Sequence, residues 1–227
     1  MDATLMITHV PATKPPEYAI SKGMNLIPIN QLADIKRSWK RYVVIGAGKT
    51  GIDALLFLID NHVDPNNIVW IVPNDSWYLC RDGFEDLNNL CDQFCSIMNN
   101  VMAAKDVNEV YTKGEELGHY MRLDKTIWPT KMRAATMSSK EIKQIKSVNQ
   151  IIRKGRIDRI QDNFIIFKSG DKIPTDENTL HIDCSTAGSN FPAVKEKIFD
   201  ENKIYLQMVQ IPPSCTSAAM IAAIELK

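Results

Sequence analysis

Three glycines, Gly46, Gly48 and Gly51, stand in a GxGxxG spacing, and no other residues of this chain match a chemical task so well. In such a motif the first glycine permits a tight turn. The second leaves room for a phosphate group to approach the backbone, and the third lets the following helix pack against the preceding strand. The task is to cradle a pyrophosphate, helped by the N–H groups and partial positive charge of a helix N-terminus. Gly46, Ala47, Gly48, Lys49, Thr50 and Gly51 are therefore the candidate binding residues. The alternative is a glycine turn that packs and binds nothing.

The type of nucleotide depends on the end of the next strand. Sites for FAD and NAD usually place an acid there to hold ribose hydroxyls. Here the position is Val72 or Pro73, followed by Asn74, and Asp75 comes late for the role. The missing acid disfavours FAD and NAD(H) and leans toward NADP(H), whose 2′-phosphate wants a cation. Arg81 is the best local cation and Lys49 a helper from the glycine loop, so Asn74 and Arg81 complete the candidate set. NAD(H) stays open, and both cations also fit plain solvated side chains. No residue is assigned a catalytic role.

Other constellations are weaker. Tyr18 and Lys22 match a YxxxK pair, but they precede the glycine loop in a proline-flanked segment and read as chance. Cys91 and Cys95 share one face of a helix, with no further ligands nearby to complete a metal site. They read as small apolar residues, and no metal is expected. His9, His62, His119 and His181 are scattered, and no serine sits in a G-x-S-x-G elbow. Trp70, Trp77 and Tyr78 fit a core better than a stacking platform.

The elements that must position the glycines follow from pattern. Residues 42–45 and 68–72 are β-branched runs expected as buried parallel strands. Between them the spacing of Ile52, Leu55, Leu56 and Ile59 predicts a helix over 52–61. This is a strand–helix–strand unit of right-handed connection. Residues 25–29 form a possible edge strand, and 31–40 hold one helical turn. Residues 84–120 look helical. Ser138 and Glu141 form a capping-box pattern opening a helix to about 148. Strands are expected over 156–160, 163–168, 179–183 and near 204–209, with a terminal helix over 217–226.

Composition sets limits. The 227 residues are 44% hydrophobic and 24% charged, with 27 basic and 27 acidic side chains. These are globular values, and zero net charge argues against salt-driven nucleic-acid binding. No apolar run reaches the ~18 residues of a membrane span. The N-terminus lacks the pattern of a secretory signal. Five cysteines without framework spacing suggest reduced thiols and a cytoplasmic chain.

Taken together, residues 42–53 and 63–77 resemble the second, nicotinamide-nucleotide-binding unit of flavin-dependent oxidoreductases of the flavin-containing monooxygenase type. Residues 183–188 resemble the strand-end linker that returns the chain to the flavin domain, and 2–4 the linker that leaves it. Residues 216–225 resemble the closing helix. The resemblance is thin over 84–150. Family members carry an earlier GxGxxG that holds FAD; this chain has ten glycines and one such motif. Some carry Arg where this chain has Asn74.

The resemblance implies an α/β, Rossmann-like FAD/NAD(P)-binding fold: a parallel sheet with helices on both faces, a small antiparallel β-meander and a helical insertion. The expected domains are a linker and lead-in over 1–40, a nucleotide-binding domain over 41–182 with its insertion at about 83–150, and a flavin-domain remnant over 183–227. The expected function is the NAD(P)H-binding part of a truncated or split flavin-dependent oxidoreductase, not catalytic alone. FAD would come with a partner chain, and a homodimer is a further expectation. The alternative is a nucleotide-free relic or scaffold acting through protein contacts.

Overall fold

A computed structural model describes residues 10–84, 89–186, 199–200 and 203–204. The chain divides into two compact units, Pro11–Ser185 and a second made of Met1–Val10 with Thr186–Lys227.

In the larger unit the chain runs β1 (Ala19–Ile20), β2 (Asn25–Pro28), β3 (Arg41–Ile45), α1 (Lys49–Asp60), β4 (Ile68–Ile71), β5 (Ser76–Cys80), α2 (Leu90–Ala103) and α3 (Val107–Glu116). It continues through β6 (Tyr120–Met121), β7 (Lys131–Met137), α4 (Ser139–Ile145), β8 (Gln150–Ile152), β9 (Ile157–Gln161), β10 (Phe164–Phe167), β11 (Lys172–Pro174) and β12 (Thr179–Asp183). The main sheet has the order β2–β12–β3–β4–β8 and every pair in it is parallel. The expected strand–helix–strand unit is β3–α1–β4. The expected edge strand is β2, so the lead-in segment contributes to the sheet.

The two faces of the main sheet are covered differently. Tyr42, Val44 and Trp70 face a core with Ile52, Leu55 and Leu58 of α1 and Ile142 and Ile145 of α4. Val43, Ile45, Val69 and Ile71 face Ile157, Ile160, Ile165 and Phe167 of β9 and β10. The second face is thus covered by the antiparallel β9–β10–β11 layer, to which β1 adds a parallel strand. Helices on both faces were expected; the described helices in these cores lie on one. A strand buried on both sides reads as a continuous apolar run whatever covers it, so sequence did not separate the cases.

The expected helical insertion is also mixed. Between β4 and β8 the chain forms a three-stranded sheet, β6–β5–β7, as well as α2, α3 and α4. Trp77 anchors this excursion. It is buried, stacks on Tyr111 at 4.9 Å and meets Trp128 edge-on at 5.2 Å. The Arg122 guanidinium lies 5.2 Å from the Trp77 ring and is fixed by Glu115 at 2.7 Å.

The smaller unit shows one antiparallel pair, β13 (Phe199–Asp200) and β14 (Lys203–Ile204). The terminal helix expected over 217–226, and the strand expected beyond 204, lie outside the described residues.

Candidate functional site

The glycine turn joins β3 to α1 at the carboxyl edge of the main sheet. Gly46 has φ +120°, a conformation that side chains rarely adopt. A Cβ there would sit 2.7 Å from the Cys184 carbonyl oxygen at the end of the neighbouring β12. A Cβ on Gly51 would sit 2.2 Å from the Gly46 carbonyl oxygen. The fold alone therefore requires both glycines. Gly48 is different: its backbone is extended and a Cβ would meet nothing within 4 Å. Neither strain nor packing accounts for it. Open space over the second glycine is what an approaching pyrophosphate needs.

Two buried aromatic side chains hold the turn. The Trp70 indole N–H donates to the Gly46 carbonyl at 2.8 Å, and the Tyr78 hydroxyl to the Ala47 carbonyl at 2.9 Å. In a trans peptide the C=O and N–H point in opposite directions. Drawing these carbonyls into the core therefore turns the N–H groups of Ala47 and Gly48 away from it. They join the first turn of α1, whose N-cap, Gly48, makes no side-chain capping bond. Sequence placed Trp70, Trp77 and Tyr78 in the core, and all three are buried there. It missed that Trp70 and Tyr78 also set the turn, because their polar tips select partners only in three dimensions.

The two expected cations converge on one carboxylate. Arg81 meets Glu141 at 3.0 Å and Lys49 meets it at 3.4 Å, while Lys49 also pairs with Asp53. Glu141 belongs to the capping box of α4. Its side chain accepts the Ser138 N–H at 2.6 Å, and its own N–H donates to the Ser138 hydroxyl at 3.1 Å. Burial pushes the Glu141 carboxyl up. The Ser138 donors and the two cations outweigh that and hold it below its ordinary value. Asp82 adds a second carboxylate at the same helix start, accepting the Ser139 N–H at 3.0 Å. Thr50 is exposed, and Asn74 lies half-buried in the bend after β4. Asp75, next to it, is committed to Arg153 at 3.0 Å, and Arg153 also reaches Asp124 at 3.7 Å.

Asp183, at the end of β12, escaped the sequence reading. It is fully buried, and one oxygen accepts the Ser185 N–H at 2.9 Å and its hydroxyl at 2.6 Å. The other oxygen has no partner, and neither does the buried Tyr18 hydroxyl. Burial raises the Asp183 carboxyl above its ordinary value, against the two Ser185 donors. Asp183 lines a cavity of about 360 Å³ together with Pro11, Lys14, Pro16, Pro28 and Gln31. The only signal was an acid closing the strand 179–183.

The remaining candidates do not gather. Cys91 and Cys95 are exposed on α2. His181 is fully buried and structural. Its Nδ1–H donates to the Asn25 carbonyl at 2.8 Å, so its Nε2 accepts from the Thr175 hydroxyl at 2.8 Å. His119 is buried against Ser96 at 2.9 Å. Among the described residues no group of three His, Cys, Asp or Glu side chains is placed to hold a metal ion. No described helix is long and apolar enough to cross a membrane.

No protein-family model matches the chain. Uncharacterized proteins of Mycobacterium tuberculosis and Mycobacterium bovis are 31% identical to it over 229 residues. That alignment takes in 99% of this chain and 42% of each relative, so the chain spans about two fifths of their length. Among solved structures, an ornithine N-hydroxylase of Kutzneria sp. 744 is 13% identical with a TM-score of 0.38, covering 80% of this chain and 44% of its own. An L-lysine 6-monooxygenase from Pseudomonas syringae is 12% identical with a TM-score of 0.33, covering 71% and 40%. Both structural likenesses are loose. The chain is thus similar in sequence to longer mycobacterial proteins, and its parallel sheet carries a glycine turn at the carboxyl edge.

Proposed function

We propose that this chain binds a nicotinamide dinucleotide, with the pyrophosphate on the turn from Gly46 to Gly51. Gly48 carries the reading: the fold accounts for the other two glycines and leaves the space over this one open. The backbone of Ala47 and Gly48 and the first turn of α1, at Lys49 and Thr50, supply the donors. Trp70 and Tyr78 hold those donors in place. The residues fit the group. A bound nicotinamide would supply a hydride, and these residues orient it without taking part in the transfer.

In this reading the chain is the nucleotide-holding part of a flavin-dependent oxidoreductase. Hydride transfer needs an acceptor, and a flavin unit on a partner chain would provide it. NADP(H) and NAD(H) both fit the turn itself; the choice rests with the charges beside it.

The test is the melting temperature of the purified chain with and without saturating NADH or NADPH. Ligand at a hundred times its dissociation constant adds about 2.7 kcal/mol. For a chain of this size the expected rise is roughly 5 °C or more. A cooperative melt that neither nucleotide moves rejects the reading.

One observation favours a second reading, a scaffold acting through protein contacts. Helix α2 exposes Phe94, Met98, Val101 and Met102, the last at 84%. Exposed apolar stripes of this kind mark contact surfaces. An unshifted melt together with a concentration-dependent dimer would support it.

A further inference from the structure

We propose that Glu141 makes this a site for a dinucleotide lacking a 2′-phosphate, NAD(H) in preference to NADP(H); the inference rests on the dinucleotide reading above. Helices α1 and α4 pack on the same face of the main sheet, and each opens toward the carboxyl edge. The glycine turn precedes α1. The order β4, α4, β8 puts the start of α4 beyond the end of β4, on the side where such units hold the adenosine ribose.

That side is already occupied by the chain's own carboxylates. Three cations there are each met by at least one acid. Lys49 has Asp53 and Glu141, Arg81 has Glu141, and Arg153 has Asp75 and Asp124. Asp82 adds a further negative charge at the start of α4. A phosphate monoester carries about −1.5 to −2 charges at neutral pH. It would meet Glu141 and Asp82 as like charges, and it could recruit Lys49 or Arg81 only by breaking their ion pairs. A ribose hydroxyl is a neutral donor that a carboxylate accepts. Glu141 thereby supplies, from a helix 92 residues beyond Lys49, the acid missing at the end of the second strand.

The experiment is fluorescence titration of the full chain with NADH and with NADPH, for the native protein and for Glu141→Gln. Glutamine keeps an oxygen for the Ser138 N–H of the capping box and removes the charge. The native chain is expected to bind NADH at least about tenfold more tightly than NADPH, and Glu141→Gln to cut that preference about tenfold by strengthening NADPH. Asp82→Asn, which also keeps its acceptor, is expected to move the preference the same way by less, and it stands in if Glu141→Gln does not fold. Equal or tighter NADPH binding by the native chain overturns the proposal, as does a preference that neither variant moves. Binding of neither nucleotide overturns the dinucleotide reading itself, a result distinct from binding without preference.

Discussion

Two helix starts lie on the same face of one sheet and are finished in opposite ways. Helix α4 is closed by its own chain: Ser138 and Glu141 exchange capping bonds, and Asp82 takes the next N–H. Helix α1 has an N-cap, Gly48, with no side chain to offer. A capping side chain is worth ~1 kcal/mol over alanine but only a few tenths over glycine, so α1 forgoes little stability by ending on Gly48. In the proposed reading, the uncapped end is the one left for a ligand. The open end follows the glycine turn, and the closed end carries the acids.

The largest effect should come from filling the glycine that supports the open end from below. Gly51→Ala drives a Cβ into the Gly46 carbonyl, which Trp70 already holds in place, and is expected to cost more than about 3 kcal/mol. Loss of the cooperative melt, followed by circular dichroism, is the readout. Gly48→Ala should melt close to the native temperature yet lose affinity for the nucleotide, and equal losses at both positions would erase the distinction between them.

Next in size is Tyr78→Phe, which strands the buried Ala47 carbonyl and is expected to cost about 1–3 kcal/mol by urea unfolding. It should also weaken nucleotide binding, because the Gly48 N–H loses its fixed direction. Ser138→Ala opens the closed end and should cost about 1 kcal/mol, with nucleotide binding through the glycine turn retained. Gly48→Asp is the converse. It gives α1 a side-chain cap, in a backbone already extended, and is expected to hold stability or raise it by a few tenths of a kcal/mol while abolishing the nucleotide-induced shift. A variant that still binds would show that the open end is not where the phosphates sit.

The smallest expected effect is on pH dependence, and its sign differs between two acids. Glu141 is held below its ordinary value, so the unfolded chain protonates first. The stability it provides is present above the ordinary glutamate range and is lost as pH falls through the lowered value. Asp183 is raised by burial, so the native chain protonates first; its contribution is fully present below the ordinary aspartate range and is lost as pH rises through the raised value. Asp183→Asn should therefore raise the melting temperature more at pH 7 than at pH 4. An equal rise at both would contradict the assignment.

Much of the positioning framework was legible because it is local. The runs at β3 and β4, the glycine spacing and the Ser138–Glu141 box each declare themselves within a few residues. Strand β12 falls at Thr179–Asp183, the range expected for it. What escaped was long-range. Among the described strands, β5 pairs with β7 and with the two-residue β6, and their short mixed runs did not stand out beside α2 and α3. Lys49 and Arg81 were recognisable as cations, but nothing near them in sequence reveals that Glu141 would claim both.

The sequence separations of these contacts carry a consequence for the order of assembly. Trp70 and Tyr78 reach the glycine turn across 24 and 31 residues, whereas His181 ties β12 to the Asn25 carbonyl across 156. Short closures are entropically cheaper and form sooner. The turn is therefore shaped early, by strands that emerge with it. Cys184, whose carbonyl forbids a side chain at Gly46, arrives last. A nascent chain halted before β12 would feel only the strain of the positive φ at Gly46; the finished sheet adds the Cys184 carbonyl as a second bar to a side chain.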